Sequence, residues 1–332
     1  MKRSFVAVLA LLGLAYLFFY YTFWASNEFE NDRFVIVSRG ESFAAVADSL
    51  DARGILRSRW LFSIAGRMRK KTNRIQIGKY RFKSGMSNDD ILEDLQTGAT
   101  VEWISVTIPE GLDRKYQAHI LRRTLGIDSA RYMQLTGDSA FAAKLRVNAG
   151  TLEGYLFPST YKFYWQTDEA FIVKTLVGDF WRFWNDTLQA RTKAEKLTLP
   201  QALALASIVE GETRVDSERA IIAGVYLNRL KKKMRLQADP TIEFILPQHR
   251  VLRHEDLEIE SPYNTYRNPG LPPGPINNPG KAAILAALNP KKSPYLFFVA
   301  NGAGGHTFSK KFKDHEKAVG NYRKYREREE EK

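Results

Sequence analysis

The first hydrophobic segment of the chain runs from residue 4 to residue 27 and contains no charged side chain. About 20 consecutive apolar residues are enough for a helix to cross the hydrocarbon layer of a bilayer, so this pattern predicts a transmembrane helix over residues 5–25. Lys2 and Arg3 precede the run, and basic residues stay on the cytoplasmic side. We therefore expect a single-pass protein with residues 1–4 in the cytoplasm and the remainder outside the inner membrane, in the periplasm.

A cleaved signal peptide is the alternative interpretation of the same run. Its cleavage site needs small residues in a small-x-small arrangement after a shorter apolar core. Phe23 lies two positions before Ala25, where a small residue would be required, and the apolar core is long. These features favour an uncleaved anchor.

Residues 33–104 alternate between strand-like and helix-like patterns. The predicted elements are a buried strand at 34–37, helices at 43–50 and 58–68, a strand at 75–82 and a helix at 88–95. This βααβ order resembles a LysM module, as does the phrase that runs from Val37 through Gly40, Glu41 and Ser42 to Ala47. LysM repeats bind N-acetylglucosamine polymers, so the resemblance implies either a glycan-binding module or a spacer that holds no sugar.

The longer segment, residues 105–325, predicts a mixed α/β domain. It opens with a strand at 104–108, and helical patterns fill much of 112–196. Within it, residues 152–161 are too rich in Pro, Gly and aromatic side chains to form one continuous helix. Aromatic faces beside a carboxylate are common in carbohydrate clefts, which makes Glu153 and Tyr155 candidate substrate contacts. An ordinary packed loop has the same composition.

A helix that begins at Thr198 carries the strongest chemical signal. Thr198 and Gln201 form a capping box around Pro200, which is tolerated in a first helical turn. An apolar stripe then leads to Glu210 and Glu212, which fall on opposite flanks of it. A carboxyl group at the apolar end of a helix has a raised pKa, as a general acid near neutral pH requires. The spacing does not choose between the two glutamates, and a solvated helix end is the alternative.

Prolines concentrate in one later segment: six of the chain's 13 lie between Ser261 and Gly280. Such a stretch predicts a stiff, irregular wall and not a flexible linker, because linkers rarely carry Tyr and Asn at this density. Amide and phenol groups on a fixed loop suit hydrogen bonding to sugar hydroxyl and N-acetyl groups. The alternative is a Pro-rich cover over the core.

The composition of the chain excludes several kinds of functional site and partner. The chain has no cysteine, which excludes disulfides, thiolate metal sites and cysteine nucleophiles. Its net charge of +13 would favour nucleic acid in the cytosol, but outside the membrane the polyanions are lipid headgroups and the carboxylate-rich cell wall. We therefore expect no nucleic-acid partner; a basic surface without any partner is the alternative. The charged segment 310–332 predicts a solvated helix, with residues 326–332 as its tail; a docking site for anionic lipid or a partner is the alternative.

Five segments together resemble the endolytic murein transglycosylases, the MltG or YceG-like family. They are residues 206–213, 237–241, 263–266, 270–276 and 304–308, and the order of anchor, LysM-like module and the phrase at 108–111 also matches. The resemblance implies a bitopic inner-membrane enzyme that cuts nascent peptidoglycan within the glycan strand. The family's catalytic acid is the glutamate immediately before threonine, which corresponds to Glu212 and not Glu210. Gly211 departs from the Lys that family members often carry, a change expected to matter little.

The resemblance also implies the reaction. A lytic transglycosylase protonates the oxygen between N-acetylmuramic acid and N-acetylglucosamine, and the C6 hydroxyl of the muramic acid closes on C1 to give a 1,6-anhydro end. One carboxyl group, Glu212, serves as acid and then base, and the cut is expected to terminate elongation of the strand. A muramidase would need a second carboxylate, for which Asp239, Glu153 and Glu243 are candidates. A wall-binding scaffold without catalysis is a further alternative.

The predicted fold is thus α+β: a transmembrane helix, a LysM-like module, and a catalytic domain whose cleft has a Pro-rich wall. A lone His306 is a weak metal signal, so we expect neither metal nor cofactor and take His306 as a hydrogen-bonding residue. Expected partners are glycan strands, membrane lipid and, through the family, peptidoglycan synthases (penicillin-binding proteins). The candidate substrate-binding residues are Glu153, Tyr155, Gln237, Asp239, Thr241, Tyr263, Asn264, Thr265 and His306.

Overall fold

A computed structural model describes residues 2–248 and 250–330 of the chain. The helices are α1 (Lys2–Phe23), α2 (Phe43–Ala52), α3 (Arg59–Met68), α4 (Asn88–Thr97), α5 (Arg114–Leu125), α6 (Ser129–Thr136), α7 (Ser139–Lys144), α8 (Glu169–Phe183), α9 (Asp186–Ala194), α10 (Leu199–Glu212), α11 (Asp216–Lys231), α12 (Asp239–Ile245), α13 (Lys281–Leu288) and α14 (Phe312–Glu330). The strands are β1 (Arg33–Val37), β2 (Gly78–Phe82), β3 (Ile104–Thr107), β4 (Thr160–Phe163), β5 (Phe297–Ala300) and β6 (His306–Ser309), and a 3₁₀ helix covers His254–Glu258.

The chain forms two compact units. Unit 1 comprises Met1–Val106, Arg123–Ile127 and Lys162–Asp168, and unit 2 comprises Thr107–Arg122, Asp128–Tyr161 and Glu169–Lys332. The strands pair as β1 with β2, β3 with β4 and β5 with β6. This mixed architecture confirms the predicted α+β class.

The N-terminal helix α1 has the properties expected of a membrane span. Its segment Ser4–Phe23 is 20 residues long, is apolar enough to cross a bilayer and is almost entirely unburied by the rest of the chain. The helix is therefore compatible with the predicted anchor, whose orientation stays a prediction.

Unit 1 has the order strand, helix, helix, strand. β1 pairs antiparallel with β2, with Val35 opposite Tyr80, and α2 and α3 pack on each other. Ser42 and Ser58 cap the two helices by accepting hydrogen bonds from backbone N–H groups. β2 begins at Gly78, later than the predicted start at residue 75, because the N–H of Gln76 bonds to Leu95 and not to a strand partner. The likeness to LysM stays a prediction.

Unit 2 is built around α10, which is enclosed on every side. All residues from Ala202 to Val209 are buried, and α10 packs against α9, α11, α12 and α13. Small side chains such as Ala206 on α10 and Ala283 on α13 let the two helices approach closely. Thr198 and Gln201 form the predicted capping box.

The last two strands and the last helix pack together in unit 2. β5 is half-buried and pairs only with β6 among the described strands, with Val299 opposite Thr307. α14 packs on both strands through half-buried residues such as His315 and Val319, while most of its other residues are exposed, as expected of a solvated helix. Phe297 provides the apolar contact surface, with ring contacts to Phe312 and His315.

A buried amide holds the irregular part of unit 2. Asn278 is completely buried, and its Oδ1 accepts hydrogen bonds from the N–H groups of Gly154 and Leu156 at 2.8 and 3.0 Å. Its Nδ2 donates to the carbonyl of Leu112 and to Oε1 of Glu153 at 3.0 and 2.7 Å. One side chain thus satisfies four groups in two loops that have no sheet to pair with.

Replacing Asn278 should therefore destabilise the fold strongly. An unpaired buried polar group costs about 1–3 kcal/mol, so Asn278→Ala should lower the free energy of unfolding by at least about 3 kcal/mol. Urea unfolding of the detergent-solubilised protein, followed by circular dichroism, measures the change. Asn268→Ala is the matched control, since Asn268 is exposed and its loss should cost under about 1 kcal/mol. Equal urea midpoints for the two variants would show that the Asn278 network does not stabilise the fold.

Candidate active site

The carboxyl group of Glu212 lies at the wall of a cavity of about 320 Å³ in unit 2. Glu212 is the last residue of α10, and Thr213 follows it in an extended conformation. The helix therefore delivers the side chain to the point where its enclosure by neighbouring helices ends. The residues that line the cavity are Glu212, Tyr226, Arg229, Gln237, Asp239, Tyr266, Phe298, Val299, His315 and Val319.

The environment of Glu212 makes its carboxyl group easy to protonate at neutral pH. Burial is the largest effect and raises the pKa to about 7, and the negative charge of Asp239 adds to this. The hydroxyl of Tyr226 donates a hydrogen bond to Oε1 of Glu212, and this bond and the Arg229 charge lower the pKa in part. The residue remains half-buried, so the carboxyl group is both sheltered and reachable from the cavity.

Arg229 joins two walls of the cavity. Arg229 is buried, and its guanidinium donates from Nε to the carbonyl of Leu296, at 2.7 Å, and from Nη1 to the carbonyl of Leu236, at 2.5 Å. The same group lies over the ring of Phe297, 5.4 Å from its centre. The segment before β5 and the segment before α12 are thus held to α11 by one cation.

Glu210, the other candidate acid, is fully engaged by neighbours. Its Oε1 accepts a hydrogen bond from Arg219 at 2.8 Å, and both side chains are less than one-tenth exposed. Its Oε2 accepts a hydrogen bond from the N–H of Gly280 at 2.8 Å. Because the ion pair and the backbone bond occupy both oxygens, the geometry gives Glu210 a structural role and leaves Glu212 open to the cavity.

Two of the predicted substrate residues, Gln237 and Asp239, line the cavity together with Glu212. Gln237 has a left-handed backbone with φ of 48°, and its N–H bonds to the carbonyl of Thr265 at 3.1 Å. A non-glycine residue in this region is strained, and here the strain turns an exposed amide towards the cavity. Asp239 begins α12 and accepts a hydrogen bond from the hydroxyl of Tyr266.

Thr241, Thr265 and Asn264 lie behind this wall. The Thr265 hydroxyl accepts a hydrogen bond from the N–H of Ala238 at 3.0 Å and lies 2.9 Å from the Thr241 hydroxyl. Asn264 is fully buried, and its amide donates to the carbonyls of Leu257 and Ile259. These contacts position Gln237 and Asp239; a direct saccharide contact by any of the three stays a prediction.

The remaining predicted residues do not line the cavity of Glu212. Glu153 and Tyr155 are 4% and 2% exposed, and burial raises the pKa of Glu153 to about 8. His306 pairs through Nδ1 with Oε2 of Glu218 at 2.6 Å, which fits the expected scaffold role, and its ring contacts Phe298. Tyr263 packs against Phe244. The structure thus places these four behind the cavity wall or in the core.

A second cavity, of about 360 Å³, lies beside the same helix end. Its wall includes Gly211 and Asn277, and the latter donates from Nδ2 to the carbonyl of Ser207 at 2.9 Å. The Asn277 Oδ1 is a buried acceptor for which the described residues offer no donor. A Cβ at Gly211 would lie 2.6 Å from Cβ of Pro240, so any larger side chain at this position needs Pro240 to shift. The lining residues are Gly111, Leu112, Asp113, Tyr116, Gly211, Pro240, Glu243, Phe244, Ile276 and Asn277.

The cavity of Glu212 includes residues that sequence reasoning missed. Tyr226 lies on an apolar stripe of α11, a pattern that predicts a core residue. His315 lies in the charged segment 310–332, whose sequence pattern does not predict that any of its side chains packs against unit 2. Its ring stacks on Phe297 with centres 5.3 Å apart, and burial together with the Arg229 charge lowers its pKa. His315 is therefore a neutral imidazole in the wall that faces Glu212.

Known proteins similar to this chain carry two descriptions, YceG-like protein and endolytic murein transglycosylase. The YceG-like family matches residues 35–321. A Bacillus subtilis protein named endolytic murein transglycosylase is 34% identical over 303 residues, which cover 86% of this chain and 83% of that protein. A Streptococcus pneumoniae protein of the same name is 29% identical over 322 residues, covering 85% of this chain and 57% of that protein. The crystal structure of a yceG-like protein from Listeria monocytogenes matches with a TM-score of 0.63 at 31% identity, over 86% of this chain and 98% of that one.

Removing the Tyr226 hydroxyl should raise the pKa of Glu212 above its value of about 7. A hydrogen bond to a charged group is worth about 1.5–3 kcal/mol, and 1.36 kcal/mol corresponds to one pH unit, so Tyr226→Phe should move the titration upward by about one pH unit. Carbon-13 NMR of glutamate-labelled protein in micelles measures it, and Glu212→Gln assigns the signal. Tyr132→Phe is the control, because this buried tyrosine donates to Gln117 at 3.0 Å outside the cavity. A downward change in Tyr226→Phe contradicts the assigned bond.

Proposed function

The chain belongs to the YceG-like family, and from that premise we propose that it is an endolytic murein transglycosylase, a lytic transglycosylase that acts on peptidoglycan. One observation carries the proposal: a protonatable carboxyl group, Glu212, faces a cavity of about 320 Å³ and has a pKa raised to about 7 by burial. The name of the Bacillus subtilis relative, which this chain covers to 83%, supports the same activity.

Glu212 acts first as an acid. The protonated carboxyl group donates its proton to the oxygen that joins N-acetylmuramic acid to N-acetylglucosamine, and the bond from that oxygen to C1 of the muramic acid breaks. Positive charge develops at C1, and the carboxylates of Glu212 and Asp239 lie in the same cavity to stabilise it. The N-acetylglucosamine leaves with its hydroxyl restored.

Glu212 then acts as a base. The C6 hydroxyl of the same muramic acid attacks C1, and its proton passes to the carboxylate of Glu212. The product is a 1,6-anhydro ring, and the carboxyl group returns to its starting form with no water consumed. A pKa near 7 suits both steps, since neither protonation state is costly to reach at neutral pH.

The surrounding residues have separate tasks. Gln237 is an exposed amide in the same cavity as Glu212 and serves as a hydrogen-bonding partner for a sugar. The second cavity is lined by Gly211, the residue next to Glu212, and accommodates a sugar on the far side of the cleaved bond, with Oδ1 of Asn277 as an acceptor for an acetamido N–H. Both cavities belong to unit 2.

A muramidase is the second candidate function, because Asp239 shares the cavity with Glu212. A second carboxylate is what a hydrolase needs to activate water or to attack C1. The hydrogen bond from Tyr266 to Asp239 holds that carboxylate in place in either mechanism. The reaction products distinguish a muramidase from a transglycosylase, because a muramidase leaves reducing ends, whose mass exceeds that of anhydro ends by one water.

The setting of the enzyme is part of the proposal. With α1 as a single-pass anchor and the catalytic unit in the periplasm, the cut falls on strands as they emerge from the membrane and terminates their elongation. Peptidoglycan synthases work on the same strands and are the proposed protein partners.

Glu212→Gln should abolish the release of anhydro-muropeptides from purified sacculi. Loss of a general acid costs about 10²–10⁴-fold in rate, and glutamine can neither give nor accept the proton. Mass spectrometry of the released fragments measures rate and product together. Glu255→Gln is the matched control, since Glu255 is an exposed carboxylate of unit 2 paired only with Arg253 in the described contacts.

Three outcomes would contradict parts of the proposal. Undiminished release by Glu212→Gln removes Glu212 from the mechanism. Reducing ends in place of anhydro ends identify a muramidase. Binding to sacculi with no release by the unmodified protein identifies a scaffold.

His315→Ala should weaken substrate binding more than turnover. A neutral imidazole in the cavity wall donates a hydrogen bond to bound saccharide, and one such bond is worth about 0.5–1.5 kcal/mol, or a roughly 2- to 13-fold rise in KM. Steady-state kinetics on soluble glycan strands measure KM and kcat separately. His315→Gln, which keeps a donor, should restore much of the affinity, and His119→Ala on the exposed face of α5 is the control. An unchanged KM in His315→Ala excludes this contact.

A further inference from the structure

The end of α1 is fixed rigidly to unit 1. Thr22 and Phe23 are buried against the unit, and the amide of Asn88 donates to the carbonyl of Thr22 at 3.0 Å. Asn27 donates to the carbonyl of Met86 at 3.0 Å and accepts a hydrogen bond from the N–H of Arg57 at 2.7 Å. The apolar helix therefore passes into the unit through satisfied, buried hydrogen bonds and not through a flexible linker.

An exposed tryptophan of unit 1 lies level with the apolar part of this helix. Trp60, on α3, is 64% exposed, and its ring contacts that of Phe18 with centres 6.2 Å apart. Phe18 lies five residues inside the end of the apolar segment Ser4–Phe23, which is about 7 Å along a helix with a rise of 1.5 Å per residue. If the segment spans a bilayer, Trp60 cannot lie in bulk water.

Two arginines of unit 1 reach the same end of the helix. Arg57 lies over the ring of Tyr21, 5.5 Å from its centre, and Arg69 lies over the ring of Phe23 at 4.9 Å. Arg57 also donates to the carbonyl of Ser26, and Arg69 pairs with Asp89 at 2.9 Å. Both guanidinium groups are thus held at the level where α1 leaves the apolar layer.

These residues form a collar around the end of α1, which we define as Tyr21, Trp24, Arg57, Trp60, Met68 and Arg69. Trp24 and Met68 are 54% and 51% exposed, so the collar presents apolar area as well as charge. Trp and Tyr with long basic side chains are the residues enriched where proteins meet the membrane–water interface. Exposed apolar area of this kind marks a surface that is covered in use.

We propose that the collar seats unit 1 directly on the phospholipid head-group layer. Trp60 and Met68 enter the interfacial region beside α1, and Arg57 and Arg69 face lipid phosphates. Because α1 and unit 1 are joined rigidly, the contact holds the unit in one orientation on the membrane surface. The inference depends on α1 spanning the bilayer and is independent of the catalytic role of Glu212.

The absence of cysteine from the sequence allows a direct test. Single cysteines are introduced in the full chain, labelled with a polarity-sensitive fluorophore, and placed in phospholipid nanodiscs with or without nitroxide on the lipid near the head group. Trp60→Cys is the test position. Leu11→Cys, in the middle of α1, reports the hydrocarbon layer, and Trp103→Cys is the matched control, being 57% exposed in the same unit but stacked on Tyr164.

The expected result is that the label at position 60 emits at shorter wavelength than the label at 103 and loses intensity when nitroxide lipid is present. The label at 103 should show neither effect. If position 11 reports lipid but position 60 behaves like position 103, the collar does not touch the membrane and the inference is wrong. If position 11 also reports water, α1 does not span the bilayer and the inference is wrong. Release of muropeptides by the same samples tests the proposed function separately.

Discussion

The structure of unit 2 depends on how the apolar helix α10 ends. From Ala202 to Val209 the helix is buried on every side, so its last turn brings two carboxyl groups to the edge of a core that water reaches poorly. Burying a charge without a partner is costly. Neighbouring elements must therefore supply a partner for each carboxyl group, and these partners determine what each group can do.

Glu210 and Glu212 are stabilised by chemically different partners. Glu210 receives a cation, Arg219, and the backbone N–H of Gly280, which occupy its two oxygens. Glu212 receives the hydroxyl of Tyr226 and the charge of Arg229, which together offset part of the effect of burial and leave the pKa at about 7. Two glutamates in one turn of one helix thus divide into a structural ion pair and a group suited to proton transfer.

The walls around Glu212 are held mainly by side chains and not by a sheet. Asn264 and Asn278 bond to backbone groups of irregular segments, Asn277 ties its own loop to the backbone of α10, and Arg229 joins the segment before β5 to the segment before α12. Prolines limit the freedom of the same segments in the unfolded chain. A stiff loop held by buried amides keeps exposed groups such as Gln237 in fixed positions, even with a strained backbone.

The sequence pattern alone predicted those elements that depend on interactions between residues close together in the chain. The long uncharged run predicts α1 because the thickness of a bilayer demands that length, and the capping box at Thr198 predicts the start of α10 because it pairs groups three residues apart. The amphipathic stripe also identified the turn that carries Glu210 and Glu212. Resemblance to a family, and not spacing, chose between the two.

Only the tertiary structure decided which side chains surround Glu212. Tyr226, Tyr266 and His315 come from distant parts of the chain, and their burial and partners arise from packing that no local period records. For the same reason Glu153 and Tyr155, which look like cleft residues in sequence, lie in the core, and the first turns of a charged C-terminal helix form a cavity wall. The pKa of Glu212 depends on that assembled environment, so its value follows from the fold and not from any motif.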